Sequence, residues 1–237
     1  MPATTIHFDA ILFDMDGTLV DSTDGVVGAW HLFSEKYPGI VVEDILSSAH
    51  GVRTVENLRT FCGVTDPDEL ETEATRFEEA IVTSASMPGR RGIVQLPGVK
   101  EAMEELLPGA ALPKPCWAIC TSATKKYAIS ALTVSGTPIP DVFVASEDVT
   151  EGKPKPDPYL VGAKGCGVDP AKCLVVEDAP NGIRSGKAAG CTTLAVITSH
   201  TRKQIEDVGP DYIVDNLASV TFKRSEGGGV DVTMNHD

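Results

Sequence analysis

Asp14 and Asp16 stand two residues apart, directly after the apolar run Ala10-Ile11-Leu12-Phe13 and before Gly17-Thr18. In an extended chain, positions i and i+2 project from one face. Two carboxylates held this way at the end of a buried strand repel each other. A bound divalent cation relieves that repulsion best, and hard oxygen ligands favour Mg²⁺. Gly17 lets the backbone turn sharply or approach a ligand closely, and Thr18 adds a hydroxyl. This is the arrangement of a carboxylate nucleophile working with a metal. An ordinary Asp-Gly turn has the same letters, and so does the start of a calcium loop. The residues after Gly17 supply Asp21 and Asp24, however, without the closing Glu or the preceding helix of a calcium loop.

Three more polar clusters follow apolar runs. Thr121-Ser122 comes after Cys116–Cys120, and Glu177-Asp178 after Cys173–Val176. Lys153 lies in Gly152-Lys153-Pro154-Lys155-Pro156. Each has a plain structural explanation. Thr-Ser after a strand caps the next helix, the Lys-Pro segment is a solvated turn, and Glu-Asp before Ala179-Pro180 is a helix start with proline inside it. Together, four complementary clusters at strand ends point to one crevice, because an open parallel sheet binds ligands at the carboxyl ends of its strands.

The elements that would hold these clusters can be read from the hydrophobic period. Continuous apolar runs at Ala10–Leu12, Cys116–Cys120, Val142–Ala145, Cys173–Val176, Thr192–Ile197 and Tyr212–Val214 read as buried strands. Helical segments over Val99–Leu107, Lys125–Leu132, Pro158–Cys166 and Asn181–Ala189 alternate with them. The expected fold is α/β, a Rossmann-like three-layer core with a mostly parallel sheet and right-handed connections. Between the first strand and the rest, the spacing changes to three and four: Val26, Val27, Trp30, Leu32, Phe33, then Val55, Leu58, Phe61, then Leu70, Ala74, Phe77, Ile81. Breaks fall at Pro38-Gly39, Gly63 and Pro67. An inserted helical domain over 21–89 is expected, with 1–20 and 90–237 forming a discontinuous core. Gly227-Gly228-Gly229 between two β-rich runs predicts a terminal hairpin at about 219–234.

Composition narrows the function. The 237 residues carry a net charge of −14 and are 42% hydrophobic. That charge argues against nonspecific nucleic-acid or anionic-membrane binding, and no apolar stretch has the length of a span. Six scattered cysteines form no Cys-x-x-Cys. They read as buried free thiols in a reducing compartment, so cytoplasm is expected. Much of the negative charge lies in Asp66–Glu73 and Glu78-Glu79, which reads as a solvated helix face.

The motifs and their order resemble those of the haloacid dehalogenase superfamily of phosphohydrolases. Asp14-Met15-Asp16-Gly17-Thr18 is similar to its first motif, Thr121-Ser122 to the second, Lys153 to the third, and Glu177-Asp178 with Gly186–Gly190 behind it to the fourth. The insert position is that of the family's helical C1-type cap. Within the superfamily, Ala49-His50-Gly51-Val52-Arg53-Thr54, Trp117–Ser122, Gly152–Leu160 and the hairpin look most like the branch hydrolysing glycerol phosphate and 2-deoxyglucose 6-phosphate.

The resemblance implies a Mg²⁺-dependent phosphomonoesterase acting on a small polyol or sugar phosphate through an aspartyl-phosphate. It makes Asp14 the nucleophile and a metal ligand. Asp16 becomes the general acid and base, its backbone carbonyl also on the metal. Asp178 is a further ligand, and Glu177 stands behind or reaches the ion through water. Thr121 and Lys153 join in catalysis and, with the amides of Met15 and Ser122, bind the phosphoryl group. Loss of the Lys153 charge should depress turnover more than folding. In the cap, His50 and Arg53 are candidates for substrate specificity, Trp30 for packing, and Arg90-Arg91 for a solvated joint. A sugar phosphomutase of the same fold, or a phosphatase for a larger specialised ester, has the same core set. A phosphonatase would need a cap amine, for which Lys36 is the only lysine, in an exposed-looking stretch. A non-catalytic binding protein would not need the full set. A monomer or weak homodimer is expected.

Overall fold

The computed structural model describes residues 4–46, 51–111 and 113–234. Among these residues the strands are β1 (Thr4–Phe8), β2 (Ala10–Phe13), β3 (Val20–Asp21), β4 (Val94–Gln95), β5 (Trp117–Cys120), β6 (Phe143–Val144), β7 (Cys173–Glu177), β8 (Thr192–Val196), β9 (Tyr212–Val214), β10 (Val220–Arg224) and β11 (Val230–Met234). The helices are α1 (Thr23–Lys36), α2 (Val42–Leu46), α3 (Thr54–Cys62), α4 (Pro67–Ala85), α5 (Val99–Leu106), α6 (Lys125–Ser135), α7 (Asp157–Cys166), α8 (Pro180–Ala188) and α9 (Arg202–Glu206).

Six strands form one parallel sheet in the order β6-β5-β2-β7-β8-β9. The fold is the α/β Rossmann-like core read from the sequence. Its strands are apolar on both faces because both faces are covered. Ile11, Phe13, Trp117, Ile119, Leu174 and Val176 pack on one side. Ala10, Leu12, Ala118, Cys120, Cys173 and Val175 pack on the other. Along the chain the sheet grows from β2 to β5 and β6, then returns to the opposite side of β2 with β7. The strand order therefore reverses around β2, and the crevice that such a reversal opens lies at the carboxyl ends of β5, β2 and β7.

Helices α1 to α4 lie between β3 and β4, and these two short strands pair antiparallel as the insert's entry and exit. The core of the insert is aromatic. Trp30 contacts Phe33, Phe61 and Phe77, with the Phe77 ring 4.5 Å away. Burying several such rings supplies a large share of the insert's stability. Arg90 donates to the Asp24 carbonyl at 2.7 Å, and Arg91 pairs with Asp21. The Arg-Arg segment thus braces the joint.

The sequence reading of the hairpin is incomplete. β10 and β11 do pair, but β1 completes a three-stranded antiparallel sheet with them, in the order β1-β11-β10. β1 alternates polar and half-buried residues in Thr4-Thr5-Ile6-His7-Phe8, a weak signal beside the continuous apolar strands that follow. Five of the six free cysteines are buried. No helix of the described residues is long and apolar enough to cross a membrane.

Candidate active site

β2 ends at Phe13 and delivers Asp14, whose amide still bonds the Val176 carbonyl of β7 at 3.0 Å. β5 ends at Cys120 and delivers Thr121. β7 ends at Glu177, followed by Asp178. Lys153 arrives from the loop before α7 and is 1% exposed. Its ammonium donates to Asp14 Oδ1 at 2.6 Å and to Glu177 Oε1 at 2.7 Å. Tyr159 of α7 donates to the same Glu177 oxygen at 2.7 Å. The amides of Asp178 and Ala179 donate to Glu177 Oε2 at 3.0 and 3.1 Å. Both oxygens of Glu177 are thereby engaged, which makes it an orienting group for Lys153.

Asp178 accepts from Thr18 Oγ1 at 3.3 Å and from the Ser199 hydroxyl. The turn carrying Thr18 is held by Leu19 N–H to the Met15 carbonyl at 2.8 Å and by the Thr198 hydroxyl on the Gly17 carbonyl. Gly17 has φ +84°, and a β-carbon there would overlap the Asp178 carboxylate. Only glycine permits both that backbone and that approach.

Among the described residues, Asp14, Glu177 and Asp178 form a buried group whose oxygens lie within 4.8 Å of one another. Lys153 supplies one positive charge against three carboxylates. Burial pushes the Asp14 carboxyl up to about 7, with Lys153 opposing and Glu177 adding to the rise. Asp178 is raised well above the carboxylate range by burial and by the charges of Asp14 and Glu177. Burial would lower the Lys153 ammonium, yet the carboxylates outweigh it and raise it instead. The surplus negative charge in a water-poor site fits a hard divalent cation held by Asp14 and Asp178.

Asp16 is set apart from this group. Its Oδ1 accepts from Ser22 at 2.6 Å and from Tyr127 at 2.9 Å. Burial raises its carboxyl, and those two hydroxyls oppose the rise. Thr121 is 2% exposed and accepts from the Ala123 amide at 3.1 Å. Ser122 turns its hydroxyl to the Gly51 carbonyl of the insert at 3.0 Å, and Met15 is fully buried.

A cavity of about 90 Å³ lies between the sheet edge and the insert. Asp14, Asp16, Thr121, Ser122 and Tyr127 line its core side, and Val26, Trp30, Thr54, Asn57, Phe77 and Glu78 line its insert side. The structure brings Asp14, Asp16, Thr121, Ser122, Lys153, Glu177 and Asp178 together. It does not bring Arg53 to the cavity wall. The Arg53 guanidinium donates to the carbonyls of Val149 and Thr150, at 2.7 and 3.1 Å, and lies against Gly152. His50 lies outside the described residues. Lys36 points away, half exposed and paired with Glu73 at 3.1 Å.

The acidic run of the insert is not uniformly solvated, contrary to the sequence reading. Glu73 is 5% exposed and Glu78 is 4% exposed. Glu73 is bonded by Arg76, Lys36 and Tyr37. Glu78 accepts from Thr54 Oγ1 at 2.9 Å, from the Thr124 amide at 3.2 Å and from the Thr124 hydroxyl. Ser22, Tyr127, Tyr159, Ser199 and Glu78 escaped the sequence reading. For Glu78 a signal existed: it falls on the apolar stripe of its helix.

The fold and this set of side chains define a Rossmann-like α/β enzyme built around a carboxylate cluster. Residues 8–190 match the family model for haloacid dehalogenase-like hydrolases. The chain belongs to that family. It is 37% identical over 219 residues to hexitol phosphatase A of Escherichia coli, covering 92% of this chain and 96% of that protein. It is 34% identical over 233 residues to glycerol-1-phosphate phosphohydrolase 1 of Saccharomyces cerevisiae, covering 93% and 88%. It is 30% identical to 2-deoxyglucose-6-phosphate phosphatase 1 of the same yeast, covering 96% of each chain. These relatives fall in the branch that the sequence motifs resemble.

Proposed function

We propose that this chain hydrolyses the phosphate monoester of a small polyol or sugar, with Mg²⁺ as its metal and Asp14 as its nucleophile. One observation carries the reading. Asp14, Thr121, Lys153 and Asp178 converge at three adjacent strand ends, while Asp16 faces the same cavity on separate hydrogen bonds. The relatives named above act on phosphate esters of this size, which supports the substrate class.

Asp14 attacks phosphorus and forms an acyl phosphate as the ester P–O bond breaks. Lys153 fixes the rotation of the Asp14 carboxylate and adds positive charge beside the phosphoryl oxygens. Thr121 donates its hydroxyl to the same group. Asp16, with Oδ1 held by Ser22 and Tyr127, keeps its other oxygen for the proton. It protonates the leaving alkoxide, then takes a proton from the water that attacks phosphorus and frees Asp14. A bound Mg²⁺, held by Asp14, Asp178 and the Asp16 carbonyl, would neutralise the repulsion between nucleophile and phosphate. Glu177 orients Lys153 from behind. The insert acts as a cap that covers the ester and excludes water. Free, buried thiols support a reducing, cytoplasmic setting.

The test is phosphate release by the purified protein across polyol, sugar, nucleotide and prenyl phosphates, with and without Mg²⁺. Release should peak on small polyol or sugar esters, and an acid quench should trap phosphate on Asp14. Asp14→Asn should abolish release with an unchanged circular-dichroism spectrum. Silence across the whole panel, or turnover retained by the variant, overturns the reading.

A further inference from the structure

The cavity has a charge pattern that the proposed chemistry does not require. A phosphate seated at Asp14 meets the Lys153 ammonium and, when loaded, the cation. The leaving group must then extend toward the insert wall, made of Val26, Trp30, Thr54, Asn57, Phe77 and Glu78. Among the described residues, neither Lys nor Arg lines this space. The neighbouring cations are engaged elsewhere: Arg53 on the carbonyls of Val149 and Thr150, Arg76 on Glu73, and Lys126 on Glu79. Among the described residues, the one charged group on the insert wall is Glu78.

Glu78 is held rigidly. Its three donors come from the insert and from the core: Thr54 at the start of α3, and the amide and hydroxyl of Thr124, which caps α6. Burial raises the Glu78 carboxyl, and these three donors, which favour the ionised form, oppose the rise. A carboxylate also accepts readily from hydroxyl groups, and Glu78 already does so with two threonines.

We infer that Glu78 is a specificity residue that admits phosphate esters with hydroxyl-bearing, uncharged leaving groups and rejects those whose leaving group carries a carboxylate or a second phosphate. This rests on the phosphatase reading and narrows its substrate class. Two like charges a few ångströms apart in a poorly solvated cleft cost roughly a hundredfold in affinity. A hydroxyl at the same place gains a charge-assisted hydrogen bond instead.

Matched esters isolate the effect. Glycerol 3-phosphate and 3-phosphoglycerate differ by a CH₂OH in place of a carboxylate, and so do glucitol 6-phosphate and 6-phosphogluconate. Calorimetric binding with Mg²⁺ in an Asp14→Asn background reads affinity apart from turnover. The alcohol of at least one pair should bind tenfold or more tightly than its acid. Adding Glu78→Gln, which retains the shape and one acceptor oxygen, should shrink that ratio at least fivefold. Glu78→Asp, which retains the charge, should largely preserve it, and melting curves check that each variant folds. Equal affinities in the Asp14→Asn protein, a ratio unmoved by Glu78→Gln, or binding of neither pair overturns the inference. A preserved preference in a protein that releases no phosphate with Asp14 intact would support this inference while sinking the phosphatase reading.

Discussion

Lys153 is buried between two carboxylates. Its removal should damage both chemistry and fold. Lys153→Met should lower kcat by about 10²–10³-fold, the usual loss for one fixed electrostatic donor. It also leaves Asp14 and Glu177 buried without their shared partner, which costs about 3–5 kcal/mol. A drop in Tm of roughly 10 °C should accompany the lost activity. An unchanged melting curve would contradict this account and restore the sequence expectation that turnover suffers more than folding. Tyr127→Phe makes a different demand. It removes one of two hydroxyls holding Asp16, so kcat should fall about 10- to 100-fold with little change in stability. The pairing of Asp14 and Asp16 at one strand end was legible because their spacing is local. Ser22 and Tyr127 were not, since a hydroxyl six or more than a hundred residues away shows its partner only after folding.

The helix α4 shows how a stripe can mislead. Leu70, Ala74, Phe77 and Ile81 mark its buried face by spacing. Glu73 and Glu78 sit one position from Ala74 and Phe77, within the same stripe. The sequence reading grouped them with the exposed glutamates because charge outweighed phase. The cost of burying them is met by fixed donors. Arg76 foremost, with Tyr37 and Lys36, holds the Glu73 carboxyl down at about 2, against the opposing effect of burial. The folded insert therefore binds fewer protons here than the unfolded chain. This contribution is full above the ordinary carboxylate range and is lost as pH falls through about 4 toward 2. Thermal melts between pH 7 and 2.5 should show a steeper acid decline in the natural protein than in Glu73→Gln, which should already be less stable at pH 7. Parallel declines would exclude this network as a source of acid sensitivity.

At the scale of the molecule, the mostly parallel sheet and its covered faces were readable because parallel strands buried on both sides leave continuous apolar runs. β1 was not, because its pairing with β11 links residues more than two hundred positions apart. The assembled site carries more negative charge than Lys153 offsets, so the protein should depend on its cation for stability as well as rate. Chelation should abolish phosphate release. Mg²⁺ at a hundred times its Kd should stabilise the fold by about 2.7 kcal/mol, read as a higher Tm by scanning fluorimetry. A Tm indifferent to Mg²⁺ would argue against Asp14 and Asp178 as its ligands.

The pairing of β3 with β4 brings the two ends of the insert side by side, Val20 opposite Gln95 and Asp21 opposite Val94. The segment between them leaves and rejoins the sheet edge at a single point. It is therefore an exchangeable part. A donor segment with the same closely spaced ends could be spliced between Asp21 and Val94 while every strand of the parallel sheet kept its place. New substrate ranges could arise by such recombination, with Asp14, Thr121, Lys153 and Asp178 unaltered, provided that the donor keeps the Ser22 hydroxyl that holds Asp16.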